Sequence, residues 1–439
     1  MDTCTCVSLY RAMKLFELFK ERLHAAMLKI YFILYCMLPV ILGVPLIEIQ
    51  YELNEISDVT FSHETPTPEQ LAKQAGYTAE THEVITEDRY VLQVHRIKGS
   101  GKSPPSKNKP VVLLFHGILD CSATWLLSGP EKGLGFILAD WGYDVWMANA
   151  RGNRYSRRHL DWTVSDREFW LFSWHEIGVY DYPATIDYIL NTTWQKKLII
   201  ISHSQGGTAF FVMGSERPEY QKKIAAVFAM APAVFMSRSE NLLYQVLAPF
   251  ANDIKVLTSL IGMYEFKPSD KLIQMLTKVM CSDDAITQPV CTNIIFVFGG
   301  FGDKELNRTL VPIIGQYDPA GASTRQFVHY GQSITTGKFR KFDYGLIGNK
   351  MKYGKIQPPN YNLANIKIPI YLYYGLNDVL VNVEDLHQLY DLLPTAQKFL
   401  VPYKCFTHLD FLWSKHVNVW VYDKILSLME RHKNETLIV

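Results

Sequence analysis

The sequence has almost no charge imbalance, because 44 lysine and arginine residues are set against 43 aspartate and glutamate residues, a net charge of +1. This balance offers no electrostatic basis for a nucleic-acid partner. Internal repeats, low-complexity tracts and heptad arrays are also absent. Histidine and cysteine residues do not cluster at metal-ligand spacing, and there is no glycine-rich phosphate-binding loop. We therefore predict neither a metal nor a cofactor.

Cysteine is scarce, with seven residues in a chain of 439. Three of them lie in or before an N-terminal apolar segment, at positions 4, 6 and 36. Cys281 and Cys291 bracket a turn-rich segment, and we expect them to close a small disulfide loop. Cys121 and Cys405 are expected to be buried thiols.

The N-terminal segment resembles a secretory signal. Lys29 precedes an apolar run from Ile30 to Leu46, which Pro39 and Pro45 interrupt. The region before the run is long, and initiation at Met27 would give a basic region of ordinary length. We interpret residues 1–46 as a signal peptide with an N-terminal extension. The alternative is a signal anchor through residues 30–46, a run near the lower limit of about 17 residues for a span.

Three N-glycosylation sequons agree with entry into the secretory pathway. They begin at Asn191, Asn307 and Asn434. A lysosomal and a secreted location are both compatible with them, and the oligomeric state is left open.

Most of the predicted strands are continuous apolar runs, which indicates burial on both faces of a parallel sheet. Two strands around a turn at residues 87–89 are predicted first, within residues 82–97. Helical stretches are predicted between the later strands, as expected for an α/β fold. The continuous runs lie at residues 111–115, 143–148, 198–201, 224–230, 368–374 and 398–401.

The alternation of strands and helices lapses between residues 233 and 330, where amphipathic helical segments dominate. We predict an α/β core of residues 47–232 and 331–439 with an inserted, mainly helical cap over 233–330. Apolar side chains of the cap would line a substrate cavity or form the core of the cap itself.

The most informative motif is Ser202-His-Ser-Gln-Gly206, which follows the apolar run at residues 198–201. A serine on a tight turn between a strand and a helix is typical of a nucleophile elbow, with Ser204 as the nucleophile. The positions two before and two after it need small side chains, because neighbouring backbone passes close. Gly206 meets this requirement, and we expect Ser202 to be tolerated where glycine is usual.

A serine nucleophile requires a base and an acid, which in α/β hydrolases follow in the order acid, then histidine. Asp378 follows a predicted strand and is the candidate acid; Glu384 and Asp385 are expected to begin a helix instead. His408 follows the last predicted strand and is the candidate base. His416 and His432 are expected to be surface or packing residues.

Two backbone N–H groups would form the oxyanion hole. One belongs to Gln205, directly after the nucleophile, and the other to Ile118, in the loop after the strand at 111–115. We expect His116 to support this loop rather than to act as a second base.

Together these segments resemble the acid lipase family, which includes the gastric and lysosomal acid lipases. The similarity runs from about residue 76 to 420, nearly the whole chain after the signal. The matching segments are Phe115-His-Gly-Ile-Leu-Asp, Ala148-Asn-Ala-Arg-Gly-Asn-Arg, Phe172-Ser-Trp-His-Glu-Ile-Gly-Val-Tyr-Asp, Ser202-His-Ser-Gln-Gly, Tyr317-Asp-Pro-Ala-Gly-Ala-Ser, Gly337-Lys-Phe-Arg-Lys-Phe-Asp-Tyr-Gly, Asn377-Asp and Thr407-His-Leu-Asp-Phe-Leu-Trp.

The resemblance implies an α/β-hydrolase core, a cap with a lid, and hydrolysis of triacylglycerols or steryl esters at a lipid–water interface. It also implies a triad of Ser204, Asp378 and His408, oxyanion donors at Ile118 and Gln205, and the Cys281–Cys291 disulfide. The chain departs from the family pattern at two positions. Ser202 replaces glycine in the elbow, and Arg89 replaces a hairpin glycine, which bears on turn strain alone.

Two other functions are weighed against lipid ester hydrolysis. One is a catalytically silent lipid carrier on the same fold, since a fold alone does not decide function. The other is an esterase for dissolved short-chain esters, against which the long apolar cap argues.

Overall fold

The strands form one large sheet and one small two-stranded sheet. The computed structural model describes residues 65–266, 299–300 and 305–436, so the predicted signal at 1–46 and the Cys281–Cys291 pair lie outside the described residues. The strands are β1 (Thr78–Ile85), β2 (Tyr90–Gly99), β3 (Val111–Phe115), β4 (Asp144–Ala148), β5 (Arg158–His159), β6 (Leu198–His203), β7 (Ile224–Met230), β8 (Glu265–Phe266), β9 (Ala322–Ser323), β10 (Ile370–Tyr374) and β11 (Ala396–Leu400).

The large sheet is mostly parallel, as the continuous apolar runs predict. Its strand order is β1-β2-β4-β3-β6-β7-β10-β11, with β5 paired to β2. Along this order, every neighbouring pair from β4 to β11 is parallel, whereas β1–β2 and β2–β4 are antiparallel. Every residue of the central strands β3, β6 and β7 is buried. Helices therefore cover both faces, and the carboxyl ends of the parallel strands share one edge of the sheet.

Helices connect the strands. Short helical and π-helical turns at Trp174–Glu176 and Ile177–Asp181 lead into α3, and another π-helical turn at Asn418–Tyr422 precedes α11. No helix among the described residues is long and apolar enough to cross a membrane. The helices are α1 (Pro68–Gln74), α2 (Leu134–Asp140), α3 (Tyr182–Thr193), α4 (Gln205–Glu216), α5 (Leu242–Leu247), α6 (Ala251–Leu260), α7 (Val311–Tyr317), α8 (Thr324–Thr336), α9 (Gly345–Tyr353), α10 (Val383–Asp391) and α11 (Asp423–Met429).

Between β7 and β10 the chain leaves the large sheet. Its described elements there are the helices α5 to α9, together with the small sheet β8–β9. Helices α5 to α8 begin within residues 233–330, where amphipathic helical segments are predicted. Helix α8 continues past residue 330, so the predicted end of the cap falls inside a helix rather than in a loop.

The first hairpin closes with a turn at residues 86–89. The N–H of Arg89 donates to the carbonyl of Thr86, and Arg89 has a φ of 74°. This left-handed conformation favours glycine, so the expectation of turn strain at Arg89 is confirmed. Cys121 is buried, as predicted, whereas Cys405 is only half-buried.

A buried arginine ties this hairpin to the turn before α3. The Arg151 side chain is 1% exposed and pairs with Asp181, whose side chain is fully buried, at 2.6 Å. Arg151 also forms a two-pronged contact with Asp88 in the hairpin turn, at 2.5 and 2.8 Å. The Arg151 N–H donates to Asp181 as well, at 3.0 Å. The guanidinium thus neutralises a carboxylate that water does not reach.

We expect Arg151→Met to lower the free energy of unfolding by about 3–5 kcal/mol, because it leaves the charge of Asp181 buried without a partner. Urea denaturation followed by circular dichroism would measure the loss. Arg158→Met is the control, since its pair with Glu83 is more than half exposed and should contribute less than about 1 kcal/mol. Equal losses in the two variants would contradict this interpretation.

Candidate active site

Ser204 occupies the turn between β6 and α4. Its backbone angles are φ 51° and ψ −118°, a strained conformation for a residue with a side chain. The Ser204 N–H donates to the carbonyl of Met230 at 3.0 Å, and its own carbonyl accepts from Gly207 at 3.0 Å. This strand–turn–helix context is the one that the sequence motif predicts.

The loop after β3 passes directly across the elbow. A Cβ atom on Gly206 would lie 2.4 Å from the carbonyl oxygen of Phe115 and 2.8 Å from that of His116. A Cβ on Gly117 would lie 3.2 Å from the Cβ of Ser204. Backbone therefore occupies the space that a side chain at position 206 would need, and a glycine is required there.

The structure accommodates Ser202 in the elbow, as expected. The residue is fully buried in β6, where it pairs with Phe115 of β3 and Ala229 of β7. Its hydroxyl has no hydrogen-bond partner among the described residues. An unpaired buried hydroxyl carries a desolvation cost and makes no compensating contact. The hydroxyl of Ser202 is thus dispensable for the geometry of the turn.

Asp378 and His408 lie side by side. Asp378 follows β10, His408 follows β11, and Oδ2 of Asp378 is 2.8 Å from Nδ1 of His408. Both side chains are almost fully buried. The other carboxylate oxygen, Oδ1, accepts from the N–H groups of Leu380 and Val381, each at 2.9 Å. These contacts orient the imidazole so that Nδ1 donates to the carboxylate and Nε2 is left to exchange a proton.

His408 Nε2 has no hydrogen-bond partner among the described residues, so the Ser204 hydroxyl is not bonded to it in this conformation. The backbone nevertheless joins the two segments. Nε2 of His203, next to Ser204, is 2.9 Å from the carbonyl oxygen of His408. Burial lowers the pKa of His203 well below its usual value, so the ring is neutral and donates through Nε2. Sequence reasoning missed this contact.

Gln205 directly follows Ser204, and Ile118 lies in the loop that approaches it. Gln205 begins α4, where the first N–H groups of a helix lack intrahelical partners. Its side-chain amide donates to Gln326 of α8 at 2.6 Å. Ile118 is half-buried and follows Gly117, the residue that approaches Ser204.

His116 supports the loop after β3, as expected. Its Nδ1 lies 2.7 Å from the carbonyl oxygen of Gly117, and its Nε2 accepts from the N–H of Ala150 at 3.1 Å. Burial lowers the pKa of His116 to about 4, so the ring is neutral and spans the two segments.

The rival acids and histidines take no part in this arrangement. Glu384 and Asp385 lie in the first turn of α10, and Asp385 binds Arg238 at 2.8 Å. His416 pairs with Glu305. His432 contacts Tyr371 and Glu435.

A second buried cluster lies at the end of the β3 loop. One potential ligand atom each from Asp120, Cys121 and Asp318 falls within 4.8 Å of the others, and all three residues are buried. Burial raises the pKa of Asp120 to about 7, although the Cys121 N–H bonds its carboxylate at 2.6 Å. Burial and the neighbouring Asp120 raise the pKa of Asp318 well above its usual value. The two carboxyls therefore share a proton at neutral pH.

Burial raises the pKa of the Cys121 thiol as well as those of both carboxyls, and so favours the protonated form of all three groups. Because the folded pKa values exceed the unfolded value of 3.8, the folded state binds the proton more tightly. The stability that the pair contributes is fully present below about pH 4 and is lost as the pH rises through about 7.

We expect Asp318→Asn to weaken this pH dependence, because an amide keeps a polar group at the site but does not titrate, whereas the buried Asp120 still does. Melting temperatures at a series of pH values would show the wild type losing stability relative to the variant above about pH 5, by up to about 1.4 kcal/mol per pH unit. Asp253→Asn is the control, since Asp253 is exposed. Parallel curves for wild type and Asp318→Asn would refute the shared proton.

Comparison with known proteins agrees with this geometry. A family model described as the partial alpha/beta-hydrolase lipase region matches residues 68–129, and the alpha/beta hydrolase fold model matches residues 110–252. A soluble variant of monoglyceride lipase from Saccharomyces cerevisiae, solved with a substrate analog, superimposes with a TM-score of 0.50 at 13% identity. It covers 80% of this chain and 95% of that one, which supports the fold alone.

Three curated relatives span most of the chain. Lipase 3 of Drosophila melanogaster is 44% identical over 82% of this chain and 91% of its own length. Human gastric triacylglycerol lipase is 35% identical over 83% of this chain and 91% of its own length. Lysosomal acid lipase/cholesteryl ester hydrolase of Macaca fascicularis is 36% identical over 82% of this chain and 89% of its own length. The chain therefore belongs to the acid lipase family of α/β hydrolases.

Proposed function

We propose that this protein is a serine lipase that hydrolyses carboxylic esters of neutral lipids through an acyl-enzyme on Ser204. The observation that carries the proposal is the buried Asp378–His408 pair at 2.8 Å, with His408 Nε2 unbonded and its backbone held by His203 beside the elbow serine. An imidazole oriented in this way is suited to accept the proton of a serine hydroxyl.

In the proposed mechanism, Ser204 Oγ attacks the ester carbonyl while His408 Nε2 takes its proton. Asp378 stabilises the imidazolium that results. His408 then gives the proton to the departing alcohol, and water hydrolyses the acyl-enzyme by the same steps. These groups complete the reaction without a cofactor.

The tetrahedral intermediate would place its negative oxygen between the N–H groups of Ile118 and Gln205. The loop after β3 supports this role because it contacts the elbow at Gly117 and is fixed by the His116 ring. Removing one such donor typically costs about 3 kcal/mol in the activation barrier.

The proposed substrates are triacylglycerols and steryl esters presented at a lipid–water interface. The names of the human and macaque relatives include both ester classes. We propose residues 233–330 as the cap over the core. Its described part exposes a run of apolar side chains that a lipid surface would cover, namely Val256, Leu257, Leu260, Ile261 and Met263. Relative rates on triolein and cholesteryl oleate emulsions would establish the preference between the two classes.

The proposed location is the secretory pathway, in the lysosome or outside the cell, after residues 1–46 direct entry. Asn191 and Asn434 are exposed and accessible to a glycan, whereas Asn307 is half-buried and its side-chain oxygen accepts from Thr309. We also propose a disulfide between Cys281 and Cys291.

Ser204→Ala is expected to abolish both hydrolysis of emulsified triolein and labelling by a fluorophosphonate. Asp378→Asn should lower kcat by roughly 10⁴-fold, because the imidazole loses its orienting carboxylate. Titrimetric assays and gel fluorescence would measure these losses, with Asp253→Asn as an exposed control. Hydrolysis by Ser204→Ala at the wild-type rate would exclude this nucleophile. A wild type that binds lipid without hydrolysis or labelling would favour the carrier, and activity confined to dissolved esters would favour the short-chain esterase.

Substitution should impair the elbow at Gly206 but not at Ser202. Gly206→Ala is expected to reduce labelling of Ser204 at least about 100-fold, since its Cβ would meet the backbone of Phe115. Ser202→Gly and Ser202→Ala should keep activity within about threefold of wild type, because the Ser202 hydroxyl has no partner. A protein that becomes active only as Ser202→Gly would instead support the carrier.

A further inference from the structure

Helix α9 presents large apolar side chains to solvent. Leu346, Ile347 and Met351 are 71%, 78% and 83% exposed, and Ile356, just after the helix, is 62% exposed. Ile347 and Met351 lie one turn apart and so share a side of the helix. Single exposed apolar residues are ordinary, but four within eleven residues form a patch that needs an explanation.

The charged residues of α9 and of the segment just after it, residues 345–356, are all lysines. Lys350, Lys352 and Lys355 are exposed, and among the described residues no carboxylate forms an ion pair with any of them. The chain has no aspartate or glutamate between Asp343 and Asp378. Asp343 faces inward, where it accepts from the Gly345 N–H at 2.8 Å.

The helix is held firmly in this orientation. Asn349, on the opposite side, is buried and donates to the carbonyl of Ile356 and to Asp343, each at 2.8 Å. The hydroxyl of Tyr353 donates to the carbonyl of Phe342 at 2.9 Å. Because these bonds fix the inner side, the apolar and basic side chains stay directed outward as one surface, which we call the α9 face.

We propose that the α9 face docks onto a lipid surface that carries anionic phospholipid headgroups. Its four apolar side chains would enter the acyl region, and its three lysines would remain at the level of the phosphates, with their alkyl stems along the apolar layer. A second copy of the chain fits the face less well. A two-fold interface would set the lysines against one another without a carboxylate on the face to offset them.

The α9 face shares no side chain with the exposed apolar run of the proposed cap, and binding at it does not require ester hydrolysis. Each lysine near an anionic surface contributes roughly fivefold to partitioning. The three together are therefore expected to favour anionic over zwitterionic vesicles by up to about 100-fold, an effect that salt weakens.

The test is co-sedimentation of the full-length chain with vesicles of ether-linked lipids, which contain no ester that this protein could cleave. One vesicle is phosphatidylcholine, and the other is equal parts phosphatidylcholine and phosphatidylglycerol. The apolar variant is Leu346→Ser/Ile347→Ser/Met351→Ser, and the basic variant is Lys350→Gln/Lys352→Gln/Lys355→Gln. Matched controls change exposed residues elsewhere, in Ile85→Ser/Leu160→Ser/Val419→Ser and Lys107→Gln/Lys196→Gln/Lys222→Gln.

The wild type and both controls are expected to prefer the anionic vesicles by at least about tenfold. The basic variant should lose that preference, and the apolar variant should bind both vesicles at least about tenfold more weakly. Unchanged melting temperatures would show that the variants fold. Equal binding of the wild type to both vesicles, or wild-type binding by the apolar variant, would overturn the proposal. A dimer that the apolar variant abolishes would overturn it in favour of a second copy.

Discussion

The close approach of the β3 loop to the start of α4 is the constraint on which the site depends. Backbone of Phe115 and His116 occupies the space beside Gly206, so the loop and the elbow cannot move independently. The same approach puts Gly117, the residue before Ile118, against Ser204. A side chain forced between them would separate the proposed nucleophile from the proposed oxyanion donors. The position of Ser204 relative to this loop depends on tight backbone packing, which does not allow small adjustments.

The parts of this structure that follow from local sequence were predictable. Continuous apolar runs located β3, β6 and β7 because burial on both faces leaves a direct compositional signal. The elbow motif, together with the order of acid before histidine along the chain, predicted that Asp378 and His408 would act as a pair. Contacts between distant segments left no such signal. The bond from His203 to the His408 carbonyl joins residues 205 positions apart. The partnership of Asp120 with Asp318 likewise needs the folded chain, since the two residues are far apart in sequence.

Two buried groups of acidic residues show opposite solutions to the same electrostatic problem. Burial raises the pKa of Asp181 to about 6, but Asp181 is still ionised at neutral pH because Arg151 lies against it and supplies several hydrogen bonds. Asp120 and Asp318 lie against each other instead, and Arg154 offsets only part of their burial. Desolvation then favours protonation, so this pair stabilises the fold more at acidic than at neutral pH. Protonation of this pair in acid therefore offsets part of the stability that is lost when other carboxylates are protonated and lose their ion pairs.

The unbonded Nε2 of His408 bears on how the proposed reaction would begin. Both segments are anchored through their backbones, Ser204 to Met230 and His408 to His203. The Asp378–His408 pair is already formed and buried. What the proposed reaction still needs is a hydrogen bond between the Ser204 hydroxyl and His408 Nε2, which has no partner among the described residues. Catalytic hydrogen bonds are often long or unformed without substrate and tighten when it binds. Since Asp378 fixes the imidazole, the serine hydroxyl is the group with freedom to turn, and an ester carbonyl placed beside Ile118 and Gln205 would favour the rotamer that faces Nε2.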